Sequence, residues 1–184
     1  LLLTGFEPFT TGQGLKVKVN PTAEIATNVA RQLSDVSSAI LPVSYEETKQ
    51  QLTELFEQTK PTAWIGLGYA PHRTTLDIEV VAVNLEHAEN EDNSGAKPWM
   101  RPIIENGPLA YQTHLDLPKA IEAFSNVGIN AQASFHAGTF LCNQVFYLGC
   151  HLVESNSPLE MAAFIHVPPM KHFRNLEAGL TALI

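Results

Sequence analysis

The sequence predicts an α/β fold, with strands flanked by helices on both faces, and three observations carry that expectation. Short apolar runs alternate with stretches of helical period along the whole chain. Its 184 residues, 45% hydrophobic and 16% charged, suit a folded globular protein with one sizeable core. No Pro-, Gly- or Ser-rich stretch, repeat or low-complexity segment divides it, so residues 1–184 read as one domain.

Leu1 to Phe6 reads as the first strand. Asn20-Pro21 supplies a cap and a first-turn proline for a helix on which Ile25, Val29 and Leu33 recur every fourth residue. Between them, Phe9 to Asn20, with Gly12 and Gly14, reads either as a flexible loop or as a short hairpin. A strand over Ala39 to Ser44 follows, then a helix over Glu46 to Lys60 with Leu52, Leu55 and Phe56 on one face. A strand over Ala63 to Leu67 is closed by Gly68. The β-branched run Ile78 to Leu85 predicts another strand, leading into the polar loop Glu89 to Lys97. Pro118 to Val127 predicts a helix ended by Gly128. Ala133 to Ala137, Cys142 to Glu154, Ala162 to Val167 and Leu176 to Leu183 then read as strand, helix, strand and helix.

A formal net charge of -8 gives no general attraction to nucleic acid or to anionic membranes, which excludes both as expected partners. Leu1 to Gly5 is too short to be a signal peptide or a membrane span, and the missing initial Met is expected to mean that a residue or more is absent there. Cys142 and Cys150, eight apart on one helix, would lie ~12 Å apart on helical rise and stay unbonded. Free thiols without a targeting segment point to the cytoplasm.

The segment Ala137-Gly138-Thr139-Phe140-Leu141-Cys142-Asn143-Gln144 runs from a strand through a tight turn into a helix. Cys142 therefore falls in the first helical turn, where unpaired N–H groups and the helix dipole favour a thiolate and can hold an oxyanion. The plainer reading is an ordinary buried cysteine. His166, at the end of an apolar strand and just before two prolines, sits where open α/β sheets gather their sites, and is either the base for that thiol or a capping or core histidine. Glu79 is the only acid in Ile78 to Val83. It lies either on a solvated strand face or buried beside His166, where it would fix the imidazole tautomer.

Five stretches together resemble the motifs of the pyroglutamyl peptidase I family, in order: Leu3-Thr4-Gly5-Phe6-Glu7-Pro8-Phe9, Asn20-Pro21-Thr22, Glu79-Val80-Val81-Ala82-Val83-Asn84, Ala137 to Asn143, and Phe164-Ile165-His166-Val167-Pro168. The 63 positions from Glu79 to Cys142 and the 24 from Cys142 to His166 also match that family. The resemblance implies a three-layer α/β/α sandwich around a mixed, mostly parallel sheet, and a cysteine omega-peptidase needing no metal and no cofactor. Cys142 would be the nucleophile, His166 the general base and then acid, and Glu79 the orienting acid, with a thioester acyl-enzyme between them. It further implies a peptide substrate with N-terminal pyroglutamate, a ring pocket of Phe6, Phe9, Asn20, Tyr69, Phe140 and Leu141, and a cytoplasmic homo-oligomer, dimer or tetramer. Plain core packing is the other reading of these phenylalanines. Aromatic walls suit a flat, uncharged lactam and disfavour a charged α-amine, whose desolvation is costly.

Several positions depart from the family pattern. Gly68-Tyr69-Ala70-Pro71-His72-Arg73 puts Tyr69 at a glutamine position, and Val80 stands where an arginine follows the acid. Glu89 stands where the family has an arginine near the oxyanion, a reversal tolerable if Glu89 faces solvent or if Arg73 or Arg101 takes over. The loop from Phe9 to Asn20 is longer than usual. A related amidohydrolase with another substrate, and a weak or inactive binding relative, are the alternatives these changes raise. His72, His87, His114, His136, His151 and His172 lack metal-ligand spacing, and His136 is close enough in sequence to Gly138 to line the site.

Overall fold

A computed structural model describes residues 1–11, 14–155, 157–169 and 175–184. Its centre is a six-stranded sheet of β1 (Leu2–Phe6), β4 (Ser37–Leu41), β5 (Ala63–Tyr69), β6 (Leu76–Glu79), β9 (Ala131–Ser134) and β10 (Met161–Val167), in the order β4-β1-β5-β10-β6-β9. Every neighbouring pair is parallel except β10 with β6, so the sheet is mixed and mostly parallel as expected.

Side chains alternate across a strand, and the two faces of this sheet build two cores. Leu2, Trp64, Ala162 and Phe164 face α2 (Tyr45–Thr59) and α4 (Leu141–Glu154), meeting Leu52, Phe56, Val145, Phe146 and Tyr147. Leu3, Ile65, Leu67, Ile78 and Ile165 face α1 (Pro21–Gln32), α3 (Leu117–Asn126) and α5 (Leu176–Leu183), meeting Ile25, Val29, Phe124 and Leu180. Among the described residues, two helices above and three below complete the α/β/α sandwich.

Local signals explain where the helices begin and end. Asn20 accepts from the Thr22 N–H and Pro21 opens α1, as its sequence predicts, while Asp116 caps α3 by accepting from the Lys119 N–H. Lys60 closes α2 in the left-handed region, φ 42°, and donates its N–H to the Phe56 carbonyl.

The strand expected over Ile78 to Leu85 is two. At Val80 the backbone leaves the sheet, its N–H donating to the Ser134 carbonyl at 2.7 Å and its carbonyl accepting from the Thr113 N–H at 2.8 Å. β7 (Val81–Val83) then pairs with β8 (Ala110–Gln112) in a separate antiparallel ribbon that the sequence reading did not anticipate. β4 begins two residues earlier than expected and ends before Pro42, and β9 is Ala131–Ser134 rather than Ala133 to Ala137. The segment after Phe9 is a hairpin of β2 (Phe9–Thr10) and β3 (Lys16–Val17), while Gly12 and Gln13 lie outside the described residues.

Candidate active site

The β6–β10 pairing sets Asp77 opposite His166 and Glu79 opposite Phe164, all on the sheet face toward α4. Across the diagonal, His166 Nδ1 lies 2.6 Å from Glu79 Oε1. Glu79 is fully buried and His166 is 6% exposed, so the acid lies on the buried side of the two readings open to it. An ionised carboxylate only accepts, so the Nδ1 proton must sit on the ring and Nε2 is left for another partner. The Phe164 ring meets the imidazole edge-on, with centroids 5.1 Å apart, and limits its rotation.

Burial acts to pull the His166 pKa down. The charge and hydrogen bond of the neighbouring Cys142 sulfur, followed by those of Glu79, outweigh that effect and push it up to about 9. Burial likewise acts to raise the Glu79 carboxyl, but the His166 hydrogen bond and charge, Ser134 and Arg73 hold it below the usual carboxylate range. The pair therefore favours carboxylate and imidazolium together.

Cys142 enters from the helix side. Gly138, at φ 84°, makes the turn after β9, Phe140 is the residue before the first turn of α4, and Cys142 is second in that turn. The N–H groups of Asn143 and Gln144 return to the Phe140 carbonyl at 3.0 and 3.2 Å. Those of Leu141 and Cys142 donate to no other described residue, which leaves two donors beside the sulfur. Below it lies Gly68, where a Cβ would stand 3.0 Å from Cys142 Sγ and 2.8 Å from the Phe164 ring. Only a residue without a side chain lets sulfur and Phe164 approach the sheet this closely.

A small slot opens beside the sulfur, lined by Phe6, Phe9, Asn20, Val43, Tyr69, Phe140, Leu141 and Cys142. It contains every residue expected for the ring pocket, and Val43 is an addition. The amide of Asn20 is already engaged: Oδ1 accepts from the Thr22 N–H and hydroxyl, and Nδ2 donates to the Glu7 carbonyl at 3.0 Å. Asn20 thus ties the backbone between Phe6 and Phe9 to the start of α1. Tyr45, fully buried behind Phe140 with ring centroids 5.4 Å apart, backs that wall. Phe9 and Phe140 also border a wider outer cleft with Thr11, His72, His87 and Glu89.

Neither arginine suggested for the oxyanion is free to serve it. Arg73 Nη1 lies 2.7 Å from both Asp77 Oδ2 and Glu79 Oε1, and Arg101 Nε lies 2.6 Å from buried Glu86 with Nη2 3.3 Å from Glu46. Both are held because Asp77, Glu79 and Glu86 are buried acids that would otherwise lack a counter-charge. Glu89 is exposed, in keeping with the solvent-facing alternative. Val80 is buried at 5% exposure, a place without room for a solvated arginine head. His136 is exposed and its Nδ1 accepts from the Gly138 N–H at 2.9 Å, which makes it a turn-forming residue. Among the described residues no three His, Cys, Asp or Glu side chains gather as a metal-binding group, and His172 lies outside those residues.

Two site residues were not singled out by the sequence reading. Asn143 Oδ1 accepts from the Val83 N–H at 2.9 Å and Nδ2 donates to the carbonyls of Val83 and Leu85, tying β7 to the Cys142 turn. Gln144 Nε2 donates to Glu86 Oε1 at 2.7 Å and to the Tyr45 carbonyl. Polar residues in the apolar first turn of α4 were the available signal.

Known proteins match both sequence and fold. The family model described as pyroglutamyl peptidase matches residues 1–181. Pyrrolidone-carboxylate peptidases of Pyrococcus furiosus and of Pseudomonas fluorescens strain SBW25 are 38% and 37% identical, over 91% of this chain and 80% and 78% of theirs. The crystallographic structure of the pyrrolidone carboxyl peptidase of Pyrococcus furiosus superposes with TM-score 0.83 at 37% identity, covering 91% of this chain and 80% of that one. That of Fervidobacterium islandicum gives 0.83 at 34% identity, with 91% and 79% covered. With a carboxylate–imidazole pair facing a helix-start cysteine and near-complete coverage by such relatives, this chain belongs to the pyroglutamyl peptidase family and is a hydrolase.

Proposed function

We propose that residues 1–184 act as one cysteine peptidase domain that removes N-terminal pyroglutamate from peptides, with Cys142 as nucleophile, His166 as base and then acid, and Glu79 as the group that orients it. The observation that carries this reading is the 2.6 Å contact of His166 Nδ1 with a fully buried Glu79, on the sheet face that meets the Cys142 turn. The lactam ring enters the slot between Phe6, Phe9 and Phe140, which brings its exocyclic carbonyl carbon to the sulfur. His166 Nε2 takes the Cys142 thiol proton, and attack by Sγ then forms a C–S bond and an oxyanion, which the Leu141 and Cys142 N–H groups receive. His166 then gives its Nε2 proton to the leaving amine as the C–N bond breaks. Water, deprotonated by His166, cleaves the thioester and returns the free thiol.

A chromogenic pyroglutamyl amide tests this. Turnover that disappears in Cys142→Ala is expected; no turnover by a protein whose thiol is intact would refute it. Tyr69 supports a second reading, since a phenol in the slot wall fits other small cyclic or N-terminal amides. A panel of acyl-amides separates the two, and pyroglutamyl amides as by far the best substrates would exclude the second.

The reading includes a cytoplasmic location, supported by two free cysteines, and a homo-oligomer, dimer or tetramer. No helix among the described residues is long and apolar enough to cross a membrane. Trp99, Met100 and Leu109 are large apolar side chains left exposed, at 75%, 59% and 90%, which supports self-association. Sedimentation of wild type and Trp99→Glu/Leu109→Glu, with only the latter monomeric, is the expected result.

A further inference from the structure

β6 carries two carboxylates on one face, Asp77 and Glu79, on a strand buried along its length. Like charges side by side and out of water do not both stay ionised unless a cation lies between them. Arg73 is that cation. It reaches over from the turn joining β5 to β6, where its N–H donates to the Ala70 carbonyl at 3.1 Å, and its Nη1 stands 2.7 Å from Asp77 Oδ2 and 2.7 Å from Glu79 Oε1. Two longer contacts complete its setting: Nη1 to Ser134 Oγ at 3.5 Å and Nη2 to the His136 carbonyl at 3.4 Å. The oxygen that Arg73 holds also accepts from His166 Nδ1, while Glu79 Oε2 is buried with no partner among the described residues. The aim of the Glu79 carboxylate therefore depends chiefly on the two donors that share Oε1, with Ser134 beside them.

We propose that Arg73 is a positioning residue for the triad: it offsets the charge of Asp77, keeps Glu79 ionised and holds Oε1 on the imidazole. This rests on the triad reading above. The titratable and charged groups around His166 are Asp77 and Glu79 on β6, Cys142 on α4, Tyr69 at the end of β5, and Arg73 behind Glu79. The Cys142–His166 pair has no net charge with its shared proton on either partner, so the two acids and Arg73 leave one net negative charge. Loss of Arg73 leaves two, which Asp77 and Glu79 relieve by sharing a proton. Removing Asp77 as well restores the original balance.

The test compares wild type, Arg73→Gln, Arg73→Lys, Asp77→Asn and the double variant Arg73→Gln/Asp77→Asn. Two pH profiles are read: kcat/KM on a pyroglutamyl amide, and the rate of Cys142 alkylation by iodoacetamide. Arg73→Gln moves the acid limb of both profiles up by about 1 to 3 pH units, with KM at the plateau little changed. Arg73→Lys, which keeps the charge, moves it less, Asp77→Asn alone moves it down, and the double variant returns toward wild type. A packing role for Arg73 gives no such rescue, because the second lesion adds to the first. A wild-type profile for Arg73→Gln, or a double variant no better than Arg73→Gln, overturns the proposal. Should Arg73→Gln alone fail to fold, a folded double variant supports the charge balance and an unfolded one overturns it. A wild type that cleaves no pyroglutamyl amide refutes the substrate reading instead, and the alkylation profiles still decide the role of Arg73.

Discussion

Glu79 Oε1 accepts from His166 at 2.6 Å and from Arg73 at 2.7 Å, so one oxygen atom couples the imidazole to the charge cluster behind it. Glu79→Gln removes the charge and offers an amide in place of an acceptor-only group, which releases the tautomer that leaves Nε2 for the thiol. Its kcat is expected to fall by about 10²- to 10⁴-fold with a small change in KM, measured on a pyroglutamyl amide. A second expectation concerns pH. In the proposed mechanism the imidazolium supplies the proton for the leaving amine, and its pKa is pushed up to about 9, so wild-type activity should decline as pH rises through that value. The three residues of the proposed triad stand out in the sequence through their motifs and spacing, and the structure brings them together. The pairing of Arg73 with Glu79 does not, because it depends on how the turn between β5 and β6 folds back over a strand face, and no periodicity records that.

At the scale of elements, the site is the meeting of the C-terminal end of β10 and the start of α4 above the glycines of β5. Gly68→Ala places a Cβ against the Phe164 ring at 2.8 Å and Cys142 Sγ at 3.0 Å, too near for either to stay. Loss of about 1–3 kcal/mol of stability is expected, with a larger proportional loss of activity, from denaturant titration and kinetics on one preparation. Asn143→Ala leaves the Val83 N–H and the Val83 and Leu85 carbonyls without their partner, and should cost about 1–3 kcal/mol in the same titration. Helices were legible because caps are written locally, as in Asn20-Pro21. The break at Val80 was not, since the β-branched run continues through it and only pairing with Ser134 and Thr113 reveals the exit from the sheet. β8 carries no local signal either: three residues, largely exposed, are a strand only because β7 lies beside them.

For the whole molecule, the sandwich matches the alternation of apolar runs and helical stretches, and its mixed sheet leaves β6 antiparallel to β10, the arrangement that sets Glu79 diagonal to His166. The site also carries a stability signature. His166 binds its proton more tightly folded, at about 9, than at its ordinary 6.5, so its contribution is complete below about pH 6.5 and is lost as pH rises through 9. Thermal unfolding should show that loss in wild type and a smaller one in Glu79→Gln. The central claim is that Cys142 is the reactive thiol, and Cys150 is its internal control, fully buried with its pKa pushed up to about 12 by burial and the Glu154 charge. The most direct measurement is iodoacetamide labelling at neutral pH, with peptide mapping and residual pyroglutamyl amide hydrolysis read from the same samples. One label, on Cys142, with activity falling in step, is the predicted result. Complete labelling of Cys142 with activity intact would contradict it.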